Sequence, residues 1–170
     1  MESGFPLSRE RCTFTTNLMT PRPNQSHMLA ALAEAEASAA RGEVPVGAVV
    51  VTGNGSVLAR AGNRMRELAD PTAHAEMLAI RQACAAHGAE RLDGADIYVT
   101  LEPCAMCAAA ISLARLRRLY WGASDPKGGG VEHGARVFSH PTCHHAPELY
   151  GGIEETRASR LLREFFAGRR

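Results

Sequence analysis

The segments HAE (residues 74–76) and PCAMC (residues 103–107) decide how this chain must fold, because together they carry the side chains of a metal site. Zn²⁺ binds imidazole nitrogen and thiolate sulfur, and a catalytic zinc site has three protein ligands with a fourth position open to water. The candidate ligands are His74, Cys104 and Cys107. Glu76 is better placed to carry protons beside the metal than to bind it. The two segments therefore predict a catalytic zinc site with Glu76 as its general acid and base.

Both segments have features of helix starts. Cys104 and Cys107 lie three residues apart, so on a helix begun by Pro103 their sulfur atoms share one face. The N-terminal end of a helix also lowers the pKa of a thiol, which favours the thiolate that a metal requires. The segment DPT (residues 70–72) precedes the histidine and is typical of a helix start, with the aspartate or threonine as cap and the proline in the first turn. We therefore expect two helix starts to meet at one metal.

These motifs resemble those of the zinc-dependent cytidine and deoxycytidylate deaminase superfamily, in which H-x-E is followed by P-C-x-x-C. Four segments are similar to the bacterial tRNA-specific adenosine deaminases of that superfamily: EVPVGA at 43–48, GNR at 62–64, DPTAHAE at 70–76 and TLEPC at 100–104. The resemblance covers roughly residues 25–170. Nearly the whole chain, apart from its N-terminal arm, is therefore similar to this family.

The resemblance implies a fold, a domain and a cofactor. The fold is of the α/β class, a three-layer α/β/α arrangement of the cytidine-deaminase type with a central mixed five-stranded sheet. The zinc-dependent deaminase domain spans residues 25–170, with His74, Cys104 and Cys107 holding one zinc per subunit. Members of the family are homodimers, so the resemblance implies the same assembly here.

The resemblance also implies the reaction, which is hydrolytic deamination of adenosine to inosine at the wobble position of a tRNA anticodon loop. A zinc-activated water adds to C6 of adenine while Glu76 takes its proton and passes protons to the ring and the departing amine. A loop is a suitable target because its bases can be splayed out and recognised one at a time. The expected partner is therefore tRNA, through its anticodon stem-loop, and the expected location is cytoplasmic.

Substrate contacts are expected where the chain leaves its strands. Asn63 follows a predicted strand, and in the resembling family the asparagine at this place contacts the target nucleoside. Asparagine is also common in turns, so a purely structural role stays open. Asp125 and Lys127 lie in a long connection over residues 122–145, where the family places further substrate contacts. An ordinary turn is the alternative interpretation of both.

Arginines cluster around residues 115–118 and again over residues 157–170. Arg169 and Arg170, at the end of the second cluster, are candidates for contact with the RNA backbone, whose phosphates attract such basic patches. The alternative is that these arginines are solvated or pair with acidic side chains.

Other metal arrangements remain open at this point. A lone C-x-x-C pair can be a packing or redox pair, and a closed structural zinc site would need a fourth ligand. Residues that could supply that ligand are Cys84, Cys143, His144 and His145. The last three could also form a second metal site by composition alone.

Two other functions also stay open. The first is a deaminase of the same superfamily that accepts a free nucleobase or nucleoside of the guanine or cytosine type, for which the zinc chemistry would be identical. The second is a non-enzymatic RNA-binding module with a structural zinc. Glu76 distinguishes the second function, because a closed structural site needs no acid.

Composition limits the class of protein. The chain has 170 residues, of which 45% are hydrophobic, which suits one compact domain. No run of residues approaches the roughly 20 apolar residues of a membrane span. Five cysteines is an odd number, and two are assigned to the metal, so a reducing compartment is favoured over a disulfide framework. The net charge of +1 does not by itself identify a nucleic-acid-binding protein.

Periodicity predicts a chain of alternating helices and strands. The predicted helices cover residues 26–41, 74–87, 104–114 and 154–167, and the predicted strands cover 44–51, 56–61, 95–100, 116–121 and 147–150. The first two strands form a hairpin, the later ones alternate with helices and are expected to pair in parallel, and the fifth is an edge strand. On the last helix, Leu161, Leu162, Phe165 and Phe166 are expected to face the core.

Residues 1–24 are predicted to be a mobile N-terminal arm, because they mix polar, charged and proline residues without periodicity. The arm lacks the apolar core of a secretory signal. A transit peptide is conceivable from its arginines and hydroxyl residues, but Glu2 and Glu10 oppose that interpretation. An over-extended start, with Met19 or Met28 as the true initiator, is equally compatible with the sequence.

Overall fold

A computed structural model describes residues 23–169 of the chain. The predicted arm lies outside the described residues, except that residues 23 and 24 form the start of the first helix. The helices are α1 (Pro23–Ala40), α2 (Ala75–His87), α3 (Ala105–Leu113) and α4 (Glu155–Ala167), and a short 3-10 helix covers Val137–Ser139. The strands are β1 (Gly47–Val51), β2 (Val57–Gly62), β3 (Asp96–Leu101), β4 (Arg118–Ala123) and β5 (Glu148–Tyr150).

The five strands form one mixed sheet in the order β2-β1-β3-β4-β5. β1 is antiparallel to both β2 and β3, whereas β4 is parallel to β3 and β5. The β1–β2 hairpin follows from its turn, where Thr52 N–H donates to the Ser56 carbonyl and Gly55 adopts a φ of 88°. The parallel pairs follow from the helices or long connections that separate their strands. The predicted sheet, including its parallel pairing and its edge strand β5, is confirmed.

Helices cover both faces of the sheet, which confirms the three-layer architecture. On one face α2 and α3 pack over Val50, Ile97 and Trp121, and on the other α1 and α4 pack over Val49 and Tyr98. Two strand glycines allow α1 to lie close to β1 and β2. A side chain at Gly47 would meet the α1 backbone at Ala31, and one at Gly62 would meet Ser38.

β1 runs antiparallel to both of its neighbours. The start of β1 therefore lies beside the ends of β2 and β3, and these strand ends together form one edge of the sheet. The chain leaves β2 at Gly62 and enters α2 at Ala75, and it leaves β3 at Leu101 and enters α3 at Ala105. Both metal-bearing helices therefore begin at this edge.

The last helix differs from its prediction. Of α4, only Ala158 is fully buried, and Phe166 is 49% exposed. Ala158 packs at the β4 strand, whereas Phe165 further along the helix is covered by the guanidinium of Arg169, which lies 3.7 Å from the ring centroid. The expected apolar core face is thus core only in its first half.

Among residues 23–169, no helix is both long and apolar enough to cross a bilayer.

Candidate metal centre and substrate pocket

The first metal-bearing helix is capped by a side chain from another part of the chain. His74 occupies the N-cap position of α2 in an extended conformation and makes no side-chain cap hydrogen bond. Instead, Oδ1 of the buried Asn63 accepts the Ala75 N–H at 2.8 Å. The expected cap at Asp70 or Thr72 was wrong, because Asp70 Oδ1 accepts from both N–H and O–H of Thr72 and so closes the turn before the helix. Asn63 therefore fixes the helix start that presents His74.

The second metal-bearing helix presents both cysteines from its first turn. Cys104 is the N-cap of α3 and Cys107 lies one turn further on, fully buried. His74 Nδ1 lies 3.7 Å from Cys104 Sγ and 3.5 Å from Cys107 Sγ. In a tetrahedral site with bonds of about 2.1 Å to nitrogen and 2.3 Å to sulfur, such ligands lie about 3.6 Å apart. The residues present therefore fit one zinc ion.

This group is also the one place in residues 23–169 where three His, Cys, Asp or Glu side chains come close enough to hold a metal, with ligand atoms within 4.8 Å of one another. None of the four alternative ligands considered from the sequence joins it. In that described part of the chain, the candidate ligand group therefore has three members, the number found in catalytic zinc sites, and not the four of a closed structural site.

The two cysteine side chains shift each other's pKa. The hydrogen bond from the Cys107 thiol lowers the pKa of Cys104 to about 4, against the opposing effect of burial, and the same bond raises the pKa of Cys107. Proximity of His74 also lowers the pKa of Cys104. A thiolate is thus already favoured at Cys104, and a dication held by both sulfur atoms would favour loss of the Cys107 proton as well.

Glu76 lies beside these ligands on the first turn of α2 and is only 3% exposed. Burial raises the pKa of its carboxyl group to about 6, although the nearby His74 opposes this shift. A carboxylate with a pKa near 6 can both accept and return a proton close to neutral pH. Its position and its pKa therefore suit a proton carrier.

The metal group opens into a cavity of about 280 Å³. The cavity is lined by the side chains Val44, Val46, Asn63, Met65, His74, Glu76, Leu101, Glu102, Cys104 and Asp125 and by Gly128. Apolar walls with a few convergent polar groups are typical of small-ligand sites. A planar ring system that enters here meets both the metal ligands and Glu76.

The structure brings some of the expected substrate residues to this cavity and places others elsewhere. Asn63 and Asp125 line it. Lys127 is exposed and does not line it; its backbone N–H donates to Asp125 Oδ1. Arg169 donates to the Gly42 carbonyl, also away from the cavity lining. Arg170 lies outside the described residues.

Sequence reasoning missed two buried carboxylates: Glu102, which lines the cavity, and Glu43, which precedes the lining residue Val44. Glu43 Oε1 accepts the N–H groups of Arg66 and Glu67, both at 2.9 Å, and so holds the segment that carries Met65. Glu102 lies at the end of β3 and accepts hydrogen bonds from the connection after β4. A signal for Glu102 existed in the sequence, since an acidic residue directly follows an apolar strand there.

A larger cavity, of about 490 Å³, lies away from the metal group, beside α3 and the segment around Cys143 and His144. Cys143 Sγ lies 3.5 Å from Ser112 Oγ, and His145 Nε2 lies 2.6 Å from the Leu116 carbonyl oxygen. These contacts fasten the segment to α3 and to the residues before β4. They account for its cysteine and histidine without a second metal.

Comparisons with known proteins agree with this geometry. The family model of the cytidine and deoxycytidylate deaminase zinc-binding region matches residues 21–123. A tRNA-specific adenosine deaminase from Agrobacterium fabrum is 63% identical over 140 residues, which are 82% of this chain and 91% of that protein.

Solved structures show the same fold. One from studies of A-to-I editing by tRNA:A34 deaminases at the wobble position is 62% identical, covers 81% of this chain and 99% of its own, and has a TM-score of 0.79. A guanine deaminase from Nitrosomonas europaea is 24% identical, with a TM-score of 0.72 and 84% of each chain covered, a likeness that concerns the fold alone.

Proposed function

This chain belongs to the cytidine and deoxycytidylate deaminase zinc-binding family, in its branch of tRNA-specific adenosine deaminases, and we propose that it converts adenosine to inosine at the wobble position of a tRNA anticodon loop. The observation that carries the proposal is the buried Glu76 beside the His74, Cys104 and Cys107 group, in a cavity of about 280 Å³. The extensive identity to a tRNA-specific adenosine deaminase favours adenosine in RNA as the substrate of that chemistry.

His74, Cys104 and Cys107 are the residues that hold the zinc. When bound there, zinc supplies a Lewis acid that lowers the pKa of a water molecule towards neutrality. Glu76 takes the proton of the attacking water and delivers protons to the purine ring and to the departing amine, so that one water is consumed and one ammonia leaves. The apolar side chains of Val46 and Leu101 keep bulk water from the reacting carbon.

The remaining polar residues orient the substrate. Asn63 and Asp125 line the cavity and contact the target nucleoside, and the exposed Lys127, between the lining residues Asp125 and Gly128, attracts the adjoining phosphate. Arg169 and Arg170 meet the RNA backbone further away. An anticodon loop suits a cavity of this size, because a single unpaired base can enter it without breaking a pair.

The test is incubation of the zinc-loaded protein with a synthetic anticodon stem-loop, followed by measurement of inosine at the wobble position. Free adenosine, cytidine and guanine are assayed in parallel. Inosine in the stem-loop supports the proposal. Deamination of a free base or nucleoside at a greater kcat/KM than the stem-loop would contradict it and would identify a free-base or nucleoside deaminase of the same superfamily.

We further propose that the enzyme is a homodimer that acts in the cytoplasm, where its tRNA substrate is found. Leu113 at the end of α3 is 77% exposed and lies beside the groove of about 490 Å³. An apolar side chain this exposed supports a partner surface at α3. Sedimentation of the protein should give a dimer that Leu113→Arg converts to a monomer, and a monomeric unaltered protein would contradict the assembly.

A further inference from the structure

Glu102 is a carboxylate whose hydrogen bonds all run to one segment of the chain. Its side chain is fully buried, directly before the proline that precedes Cys104. Oε1 accepts the backbone N–H groups of residues 131, 132 and 133, at 3.2, 2.9 and 3.0 Å. Oε2 accepts the Asp125 N–H at 3.0 Å and lies 2.7 Å from His133 Nδ1. One buried side chain thus holds both ends of the segment over residues 125–133.

The same segment is pressed against the start of α3. Gly130 N–H donates to the Pro103 carbonyl at 2.8 Å, and Gly129 forms an isolated bridge with Cys104. A side chain at Gly129 would lie 2.5 Å from Glu102 Oε1, and one at Gly130 would lie 2.5 Å from Ala105 N. The glycine run therefore has a steric reason, since only glycine lets the backbone approach Glu102 and the metal-bearing helix this closely.

The segment over residues 125–133 forms one wall of the substrate cavity. Asp125 and Gly128 both line that cavity. Asp125 Oδ1 accepts the N–H groups of Lys127 and Gly128, so the side chain is fixed within the segment rather than by the cavity itself. The place of Asp125 relative to the metal ligands is therefore set by what holds the segment, and the Asp125 backbone is itself bonded to Glu102.

From this geometry we propose that Glu102 is a positioning residue of the reaction, whose carboxylate places Asp125 on the cavity wall and so determines how firmly the target nucleoside is held. Glu102 is among the residues that line the cavity, but it acts through Asp125. The proposal rests on the proposed function, in which Asp125 contacts the nucleoside. It assigns to the acid that precedes Pro103 a purpose distinct from the metal chemistry.

The test compares Glu102→Gln with the unaltered zinc-loaded enzyme on the anticodon stem-loop. The amide keeps the shape but offers one acceptor fewer and turns an NH2 group towards backbone donors. We expect KM to rise about tenfold while kcat stays within about twofold, because the zinc ligands and Glu76 are untouched. Glu148→Gln is the matched control, since that carboxylate is exposed and pairs with Arg118 on the sheet edge.

Two readouts separate positioning from a general loss of structure. Hydrogen–deuterium exchange should increase in peptides over residues 125–133 of Glu102→Gln and remain unchanged in α2. In an Asp125→Ala background, Glu102→Gln should raise KM no further, because the residue through which it acts is gone. An unchanged KM, a fall in kcat alone, or a full additional KM effect in the Asp125→Ala background would overturn the proposal.

If Glu102→Gln fails to fold, Gly129→Ala tests the same point with Glu102 intact, because the added methyl group displaces the segment. The same rise in KM and in exchange is expected, and unchanged values for both would overturn the proposal. Failure of the proposed function is recognised separately. In that case the unaltered enzyme makes no inosine in the stem-loop, whereas the exchange experiment still reports whether Glu102 holds the segment.

Discussion

Glu76 and Glu102 are both buried carboxylates at the same cavity, yet their pKa values move in opposite directions. Glu76 is 3% exposed and Glu102 is 2% exposed. Burial raises the pKa of Glu76 to about 6. Burial would also raise the pKa of Glu102, but its hydrogen bonds to the backbone and to His133 together outweigh this effect and lower the value to about 2. Glu102 therefore differs from Glu76 in the hydrogen-bond donors that surround its carboxylate.

The two pKa values suit two different roles of a buried carboxylate. A carboxylate with few donors keeps a proton affinity that suits exchange with a substrate, whereas one surrounded by N–H groups stays ionised and holds the backbone in place. Glu43 also holds a backbone segment in place, because its Oε1 accepts the N–H groups of residues 66 and 67. Glu76 is therefore suited to proton transfer, whereas Glu102 and Glu43 hold backbone segments in place.

The largest expected effect on activity comes from removing the zinc beside which Glu76 is proposed to transfer protons. Cys107→Ala should abolish zinc binding and deaminase activity together, because two ligands cannot replace three in a catalytic site. Metal analysis and inosine formation are measured on the same sample. Cys84→Ala is the matched control, since Cys84 lies outside the ligand group, and normal zinc content in Cys107→Ala would contradict the ligand set.

Next in size is the loss of the proton carrier itself. Glu76→Gln should lower kcat by about 10²- to 10⁴-fold while zinc content stays at one per chain, because general acid–base catalysis contributes effects of that size. In the unaltered enzyme, kcat/KM should fall with decreasing pH below about 6, where Glu76 becomes protonated and cannot accept the proton of water. Steady-state rates across pH check both statements, and full activity of Glu76→Gln would refute the catalytic assignment.

A smaller effect, on stability, is expected at Glu102. Because the pKa of Glu102 is about 2 in the folded protein and near 4.5 when unfolded, its ionised form stabilises the fold above pH 4.5, and this contribution is lost as pH falls towards 2. Glu102→Gln should therefore lower the free energy of unfolding by about 2–3 kcal/mol at pH 7, and by less as pH falls below 4.5.

Urea unfolding at several pH values measures this difference. Glu148→Gln serves as the control, because Glu148 lies on an exposed strand and contributes little through its surface ion pair. A Glu102→Gln variant as stable as the unaltered protein at pH 7 would show that the donors around this carboxylate add nothing to the fold, and would remove the contrast with Glu76.

The smallest effect, on binding of the anticodon stem-loop, is expected at two arginines far from both carboxylates. Replacing Arg169 and Arg170 by alanine should weaken binding of the anticodon stem-loop a few-fold and reduce its salt dependence, while kcat and zinc content stay unchanged. Binding measured over a series of salt concentrations tests this, with Arg160→Ala, on an exposed face of α4, as a comparison. An unchanged salt dependence would remove the two arginines from the interface.

The sequence predicted those parts of the molecule in which a residue type and a spacing carry the chemistry. The structure brings His74, Cys104 and Cys107 together, as their residue types and spacing predicted, and it places Asn63 at the same cavity. The role of Glu102 could not be predicted from its position after an apolar strand alone, since most of its partners are backbone N–H groups, which any sequence supplies. The same reason applies to the cap of α2, which comes from Asn63 rather than from the adjacent Asp70.

Periodicity predicted the positions of the helices and strands well, but it did not predict how deeply each helix face is buried. On α4 the pattern of Leu161, Leu162, Phe165 and Phe166 is that of a core face, but Phe166 is 49% exposed. The spacing of hydrophobic residues predicts which residues share one side of a helix. How much of that side is buried depends on how far the sheet extends beneath it.

The Asn63 side chain lines the cavity while its Oδ1 accepts the Ala75 N–H. Its NH2 group can therefore donate to an acceptor atom on a ligand without disturbing that bond. A substitution at residue 63 would leave the Ala75 N–H, at the start of the histidine-bearing helix, without this acceptor. Under the proposed function, the residue that contacts the base also fixes the helix that presents a zinc ligand, so base selectivity and metal geometry cannot be changed independently.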